Sequence, residues 1–336
     1  MDLDNDGNID LISGSWPGEI FFFKGGPDRT FAPPIKLKHK DGKPINAGGG
    51  LRDDRGDSML LIAGDAKFEE RDGKQVVVYN DEVIEVPEGR QVGITGTASA
   101  VFAFDWDDDG DLDLIVGDIS GNVYLVPNEG TLDEFAFGEE VLLQAVGKPI
   151  RVEGDAGPHI ADWTGNGLTD LIVGAGDGSV TLFENVGEAG KPELAEGQVL
   201  VPSSELNYTE PPDEPTRGIR AKVCVADFNG DGLPDLLLGD YTIQKPDLPE
   251  FSPEELARHD KLRREQEAVN RKYSELIEKV FGANRIEDED DRKAVEDEMR
   301  QIRERMQELY QELPQAYDNH GWVWLFLRRP AGSFVD

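Results

Sequence analysis

A single cysteine, Cys224, in 336 residues excludes a disulfide framework and a thiolate metal site. Lying inside the strand-like V-C-V-A, it reads as a buried packing residue. Histidine is scarce as well: His39, His159, His259 and His320 are scattered, so no histidine metal site or nucleophile–base pair is legible. H-E-x-x-H, G-x-S-x-G and a phosphate-binding glycine loop are all missing. No apolar run is long enough to span a bilayer. Basic charge is in deficit, with 34 Lys and Arg against 69 Asp and Glu and a formal charge of −35. That balance excludes nucleic acid and anionic membrane surfaces as natural partners, because both require a basic face.

What the chain has in abundance is aspartate at fixed spacing. From Asp105 to Gly117 the sequence reads D-W-D-D-D-G-D-L-D-L-I-V-G, with Asp105, Asp107, Asp109 and Asp113 at positions 1, 3, 5 and 9 and Gly110 at position 6. Four carboxylates make six like-charge pairs, each costing about 1 kcal/mol at contact in bulk dielectric and more near a low-dielectric surface. Alternating hard oxygen donors around a glycine turn suit Ca2+. An EF-hand is excluded, since position 12 is Ser13, Val116, Val173 or Leu238 rather than glutamate.

The string recurs at Asp2–Gly14, Asp162–Gly174 and Asp227–Gly239, with a weaker echo ending at Gly64. The closing glycines at 14, 64, 117, 174 and 239 lie 50 to 65 residues apart, which marks one supersecondary unit per repeat. Each loop sits between β-branched or aromatic runs of four to six residues, and glycine hairpins follow, as at Gly117–Gly121 and Gly174–Gly178. Four short antiparallel strands per repeat describe the blade of a β-propeller.

The string resembles the FG-GAP or VCBS repeat of integrin α-chain propellers and many secreted bacterial proteins. That resemblance implies Ca2+ held by side chains at positions 1, 3, 5 and 9 and by the carbonyl at position 7. The ligand sets are then Asp2, Asp4, Asp6, Asn8 and Asp10; Asp105, Asp107, Asp109, Asp111 and Asp113; Asp162, Thr164, Asn166, Leu168 and Asp170; and Asp227, Asn229, Asp231, Leu233 and Asp235. Three to four sites are expected, because Thr164 and Asn166 replace carboxylates in the third set.

The expected fold is therefore mainly β, a propeller of about five four-stranded repeats. Residues 1–24 give a first blade lacking its inner strand. A second, over 31–81, has a decayed loop with Arg52, Gly56 and Leu60 at positions 1, 5 and 9. A third spans 82–128 and a fourth 135–186. The fifth starts near 197 and is interrupted after residue 244. The Arg55-Gly56-Asp57 triplet of the second blade reads as chance in a polar turn. Residues 245–318 read as an inserted helical hairpin: Ser252-Pro253-Glu254-Glu255 opens one helix, and Val295, Met299, Ile302, Met306, Leu309 and Leu313 step 4, 3, 4, 3, 4 along a second. Residues 319–336 then return to the last blade. Trp106 and Trp163, each after position 1 of a loop, read as packing between neighbouring blades, and His159 as a structural residue near the centre.

The function these features imply is a calcium-stabilised binding or adhesion module of an exported protein, with its export signal upstream of Met1. The ligand would be a protein or surface glycan, and the hairpin is the candidate element for partner contact or oligomerisation. The alternatives are a calcium-dependent polysaccharide lyase and a purely architectural repeat region.

Overall fold

The computed structural model describes residues 2–47, 50–53, 59–63, 66–71, 74–79, 82–86, 91–95, 97–132, 134–281, 286 and 288–329. The chain forms two compact units. One comprises Met1–Leu206, Thr216–Thr242 and Gly321–Asp336; the other comprises Asn207–Pro215 and Ile243–His320. Among the described residues, no helix is long and apolar enough to cross a membrane.

Most of the first unit is built from antiparallel sheets that repeat one plan. Two are complete: Ala100–Phe104, Asp113–Gly117, Val123–Val126 and Val141–Leu142; then Gly157–Ala161, Asp170–Gly174, Val180–Phe183 and Gln198–Val201. An earlier sheet has three strands, Leu11–Gly14, Ile20–Phe23 and Ile35–Lys36. In the last sheet Asp235–Gln244 pairs with Ile219–Ala226 on one side and Val323–Phe326 on the other. The second strand of both complete sheets, D-L-I-V-G in each, is buried along its whole length. A continuous apolar run is what a strand covered on both faces requires.

Consecutive sheets are joined by one repeated device. The residues entering a first strand donate backbone N–H groups to the hairpin of the preceding sheet: Ala98 and Ser99 to the carbonyls of Trp16 and Ser15, Asp155 and Ala156 to Ile119 and Asp118, Arg220 and Ala221 to Gly176 and Ala175. Ala98, Asp155 and Arg220 each adopt positive φ there, at 48°, 43° and 59°. Apolar side chains fill the space between sheets. Trp106 lies in one such core with Ile115, Leu171 and Phe183, as expected, and Trp163 packs in the next with Leu236, Leu238 and Trp324.

This arrangement corrects the expected second blade. The first sheet packs directly on the sheet that begins at Ala100, through Ile20, Phe22 and Leu37 against Ala103, Leu114 and Val116. Residues 50–95 instead form two other sheets. Ala66–Arg71, Lys74–Tyr79 and Glu82–Glu85 make an antiparallel meander. Gly50–Asp53 and Met59–Ala63 pair antiparallel, and Gln91–Thr95 joins Met59–Ala63 in parallel. A parallel pair needs a long crossover, which the intervening meander supplies. Of the second-blade loop, Arg52 and Leu60 are strand residues, while Gly56, Gly64 and the Arg55-Gly56-Asp57 triplet lie outside the described residues. Among the described residues the acidic-loop plan occurs four times.

The repeat boundaries shift for a related reason. The fourth strand of each sheet follows its third after a loop, so the complete sheets run 100–142 and 157–201, not 82–128 and 135–186. His159 lies on the middle of three successive first strands. Its Nε2 accepts the Val225 N–H at 3.2 Å, its ring centre is 4.5 Å from that of Phe102, and burial pushes its pKa down. Cys224 departs from expectation, being exposed. It lies on a face of the last sheet that no other sheet covers among the described residues.

In the second unit, α1 (Pro253–Phe281) and α2 (Glu289–Glu312) run antiparallel, as the pairs Arg258–Glu312, Arg305–Glu265 and Lys272–Glu298 require. Leu276, Val280, Met299 and Ile302 form their core, flanked by Val269, Tyr273, Val295 and Met306. The start of α1 is a reciprocal cap. The Glu255 carboxylate accepts the Ser252 N–H at 2.7 Å, and Ser252 Oγ accepts the Glu255 N–H at 3.3 Å. The Asp288 side chain caps α2 by accepting the Asp291 N–H at 3.1 Å.

Candidate metal centre

Each acidic loop leads into the second strand of its repeat, and all four share the same left-handed turns. Positions 4 and 6 have positive φ throughout: Asn5 and Gly7, Asp108 and Gly110, Gly165 and Gly167, Gly230 and Gly232. Asn, Asp and Gly are the residues that tolerate this region, so the loop chemistry at these positions follows from the turn.

The position-1 carboxylate ties the turn together. Asp105 accepts the N–H groups of Asp109 and Gly110, both at 3.1 Å, and Asp2, Asp162 and Asp227 make the equivalent bonds. The position-5 side chain accepts the position-7 N–H in every loop: Asp6 from Asn8, Asp109 from Asp111, Asn166 from Leu168, Asp231 from Leu233.

Position 9 does something the repeat string does not announce. Asp10, Asp113, Asp170 and Asp235 are all buried. In each, one oxygen accepts the position-2 N–H, from Leu3, Trp106, Trp163 or Phe228. The other accepts the N–H of a residue just past the third strand: Gly25, Asn128, Asn185 or Arg328. This aspartate pins the loop to the sheet. The only hint in sequence is its constancy across the four copies.

Carboxylate oxygens converge in two loops among the described residues. Asp2, Asp4 and Asp10 form one cluster and Asp105, Asp107 and Asp109 the other, with the oxygens of each cluster within 4.8 Å of one another. Asp162 and Asp170 are spent on backbone N–H groups. In the last loop Asn229 Nδ2 donates to Asp231 at 2.9 Å. Buried oxygens without a partner remain at Asp4 Oδ1, Asp111 Oδ1 and Thr164 Oγ1. Burial raises the Asp107 carboxyl, with Asp109 and Asp105 adding to it. Burial likewise lifts Asp111 and Asp113 to about 6, and the neighbouring aspartates push the same way. Hard oxygens, orphaned acceptors and mutually repelling carboxylates are a donor set that fits Ca2+. Asp105, Asp107 and Asp109 would hold the ion in one loop, and Asp2, Asp4 and Asp10 in the other.

The first loop has a cation of its own. The Lys24 ammonium contacts Asp4 and lies 2.8 Å from Asp6, whose carboxyl drops to about 2, chiefly through that hydrogen bond. The matching positions in the other repeats are Pro127, Glu184 and Leu327, none of which is a cation. Sequence reading missed it because the contact spans twenty residues. Lys24→Met is expected to tighten metal binding at the first loop and to destabilise the metal-free protein. Calorimetric titration checks this, and an isotherm identical to wild type would show that Lys24 does not compete.

Residues 105–173 and 162–238 each match the family model of the FG-GAP-like repeat. No curated protein matches the chain.

Proposed function

The chain is an FG-GAP repeat protein, and from that premise we propose that it is a calcium-stabilised binding module of an exported protein, its sheets the blades of a β-propeller. The observation that carries this reading is the pair of carboxylate clusters beside buried acceptors that lack partners. The repeated hydrogen bonds and shared cores between successive sheets support the blade reading. Calcium is structural in this account: it neutralises the loops and holds rigid the edge of the sheets that bears them. Recognition of a protein or surface glycan then falls to the loops and to the helical unit, and FG-GAP repeats suit an adhesion-like role.

Calcium should raise the melting temperature, and a chelator should reverse the rise. A site at about a hundredfold ligand excess over Kd contributes roughly 2.7 kcal/mol. The effect carries a pH signature. In the metal-free protein Asp111 and Asp113 titrate near 6, above the ordinary carboxylate value of 3.8. The folded state therefore holds more protons than the unfolded state between those values, and stability falls as pH rises through that window. The rise produced by calcium should accordingly be larger at neutral pH than at pH ~5, and Asp107→Asn should shrink it. A melting temperature indifferent to calcium at neutral pH would reject the calcium reading. The binding arm is tested on glycan and cell-surface panels with and without chelator. Capture that requires calcium is expected, and silence across both panels counts against it.

A further inference from the structure

Asn207 is the one asparagine of the sequence followed two residues on by serine or threonine. It stands in E-L-N-Y-T, with tyrosine rather than proline between. The spacing N-x-S/T, with x other than proline, is the acceptor motif for a sugar carried on an asparagine amide in secreted proteins. Glu205, exposed two residues earlier, gives the motif its acidic extended form, E-x-N-x-T. The spacing by itself arises by chance in chains of this length, so the case rests on what the fold does with it.

Asn207, Tyr208 and Thr209 are all exposed, in the connection between the strands Gln198–Val201 and Ile219–Ala226. An exposed connection admits a bulky polar addition, because no packed backbone has to move. The Asn207 side chain is held in one orientation. Its Oδ1 accepts the Thr209 N–H at 3.1 Å, the Thr209 hydroxyl at 2.7 Å and the Glu210 N–H at 3.2 Å. Two of those donors are backbone N–H groups, so the atom they meet is the oxygen and the other terminal atom is the amide nitrogen. That nitrogen donates to nothing among the described residues. Other asparagines of the chain differ: Asn8, Asn122, Asn166, Asn185 and Asn229 each spend Nδ2 on a nearby acceptor. The hydroxyl residue that the motif requires thus helps to fix the carbonyl end of Asn207 and leaves its nitrogen unengaged.

We propose that Asn207 is an N-glycosylation site, modified during export from a lipid-pyrophosphate-linked sugar donor. The inference rests on the reading of the chain as an exported protein and does not depend on metal. In the transfer the amide nitrogen forms a bond to the anomeric carbon of the sugar, and the bond from that carbon to the pyrophosphate oxygen breaks. The lipid pyrophosphate leaves with the electron pair, the amide gives up one proton, and neither partner is oxidised or reduced. The carbonyl oxygen keeps its three donors throughout, so the turn need not be rebuilt to carry the sugar.

The test is mass spectrometry of the full chain recovered from the cells that make it, with the cell fraction recorded. The peptide carrying Asn207 should gain the mass of whole sugar residues, and fragmentation should place them on that side chain. Made in the same cells, Asn207→Gln and Thr209→Val should both lose the added mass while keeping the wild-type melting temperature, since both positions are exposed. Thr209→Ser should retain it. Unmodified Asn207 in chain recovered outside the cytoplasm would overturn this proposal and leave the exported reading standing. Unmodified chain confined to the cytoplasm would overturn both. Sugar that persists in Thr209→Val would also overturn the proposal, because the motif would then not direct the attachment.

Discussion

Replacing Asp170 by alanine is expected to lower the unfolding free energy by roughly 3–6 kcal/mol, in calcium and in chelator alike. The residue is fully buried, and its two oxygens accept three backbone N–H groups, from Trp163 and Thr164 at 2.9 Å and from Asn185 at 2.8 Å. Removing a charged acceptor leaves those donors without a partner, and each costs about 1–3 kcal/mol where water cannot replace it. Asp170→Asn retains one carbonyl oxygen and should lose about half as much. The contrast is with Asp107, which forms part of the oxygen cluster of its loop and has an upward-shifted carboxyl. Asp107→Asn should be mild in chelator and harmful only when calcium is present. Thermal and urea unfolding of both variants, with and without calcium, separates the pin of the loop from the ligand. Equal and calcium-dependent losses in the two variants would show that position 9 acts through the ion rather than through the backbone.

How far the chain could be read in advance depends on the range of the interactions. The four loops were legible because their cause is local: left-handed turns at positions 4 and 6 select Asn, Asp and Gly, and the strands on either side announce themselves by apolar runs. The reciprocal cap at Ser252 and Glu255 was legible for the same reason. Residues 50–95 were not. Their strands have the same composition as those of the repeats, and nothing local distinguishes an antiparallel partner from the parallel pairing of Gln91–Thr95 with Met59–Ala63. Lys24 reaches its aspartates across a hairpin, and the exposure of Cys224 depends on how the sheets stack rather than on its own strand. In the site itself, residue types and spacing gave the donor set. Which loops draw their carboxylates together, and which spend them on amides, is a property of the folded turn.

The closing glycines of the repeat give the second large effect, with a matched control in the same chain. A Cβ on Gly14, Gly117 or Gly174 would sit 2.0, 2.2 or 2.3 Å from the carbonyl oxygen of Ser99, Ala156 or Ala221, each on the strand entry of the succeeding sheet. Those atoms are backbone, held by the hydrogen bonds that join the sheets, so they cannot swing aside as a side chain would. Gly174→Ala must therefore push two sheets apart across a core that contains Ile172, Leu182, Leu236 and Leu238, at a cost of about 3 kcal/mol. Gly239 closes the last repeat with the same string, yet its Cβ would meet only the Lys222 carbonyl at 3.8 Å, an ordinary contact. Gly239→Ala is expected to be neutral, or to stabilise by roughly 0.5 kcal/mol through reduced freedom of the unfolded chain. Urea midpoints at unchanged denaturant dependence measure both. Equal losses at the two positions would mean that glycine is needed by the strand itself, whatever approaches it. A loss confined to Gly174 locates the requirement in the approach of the next sheet.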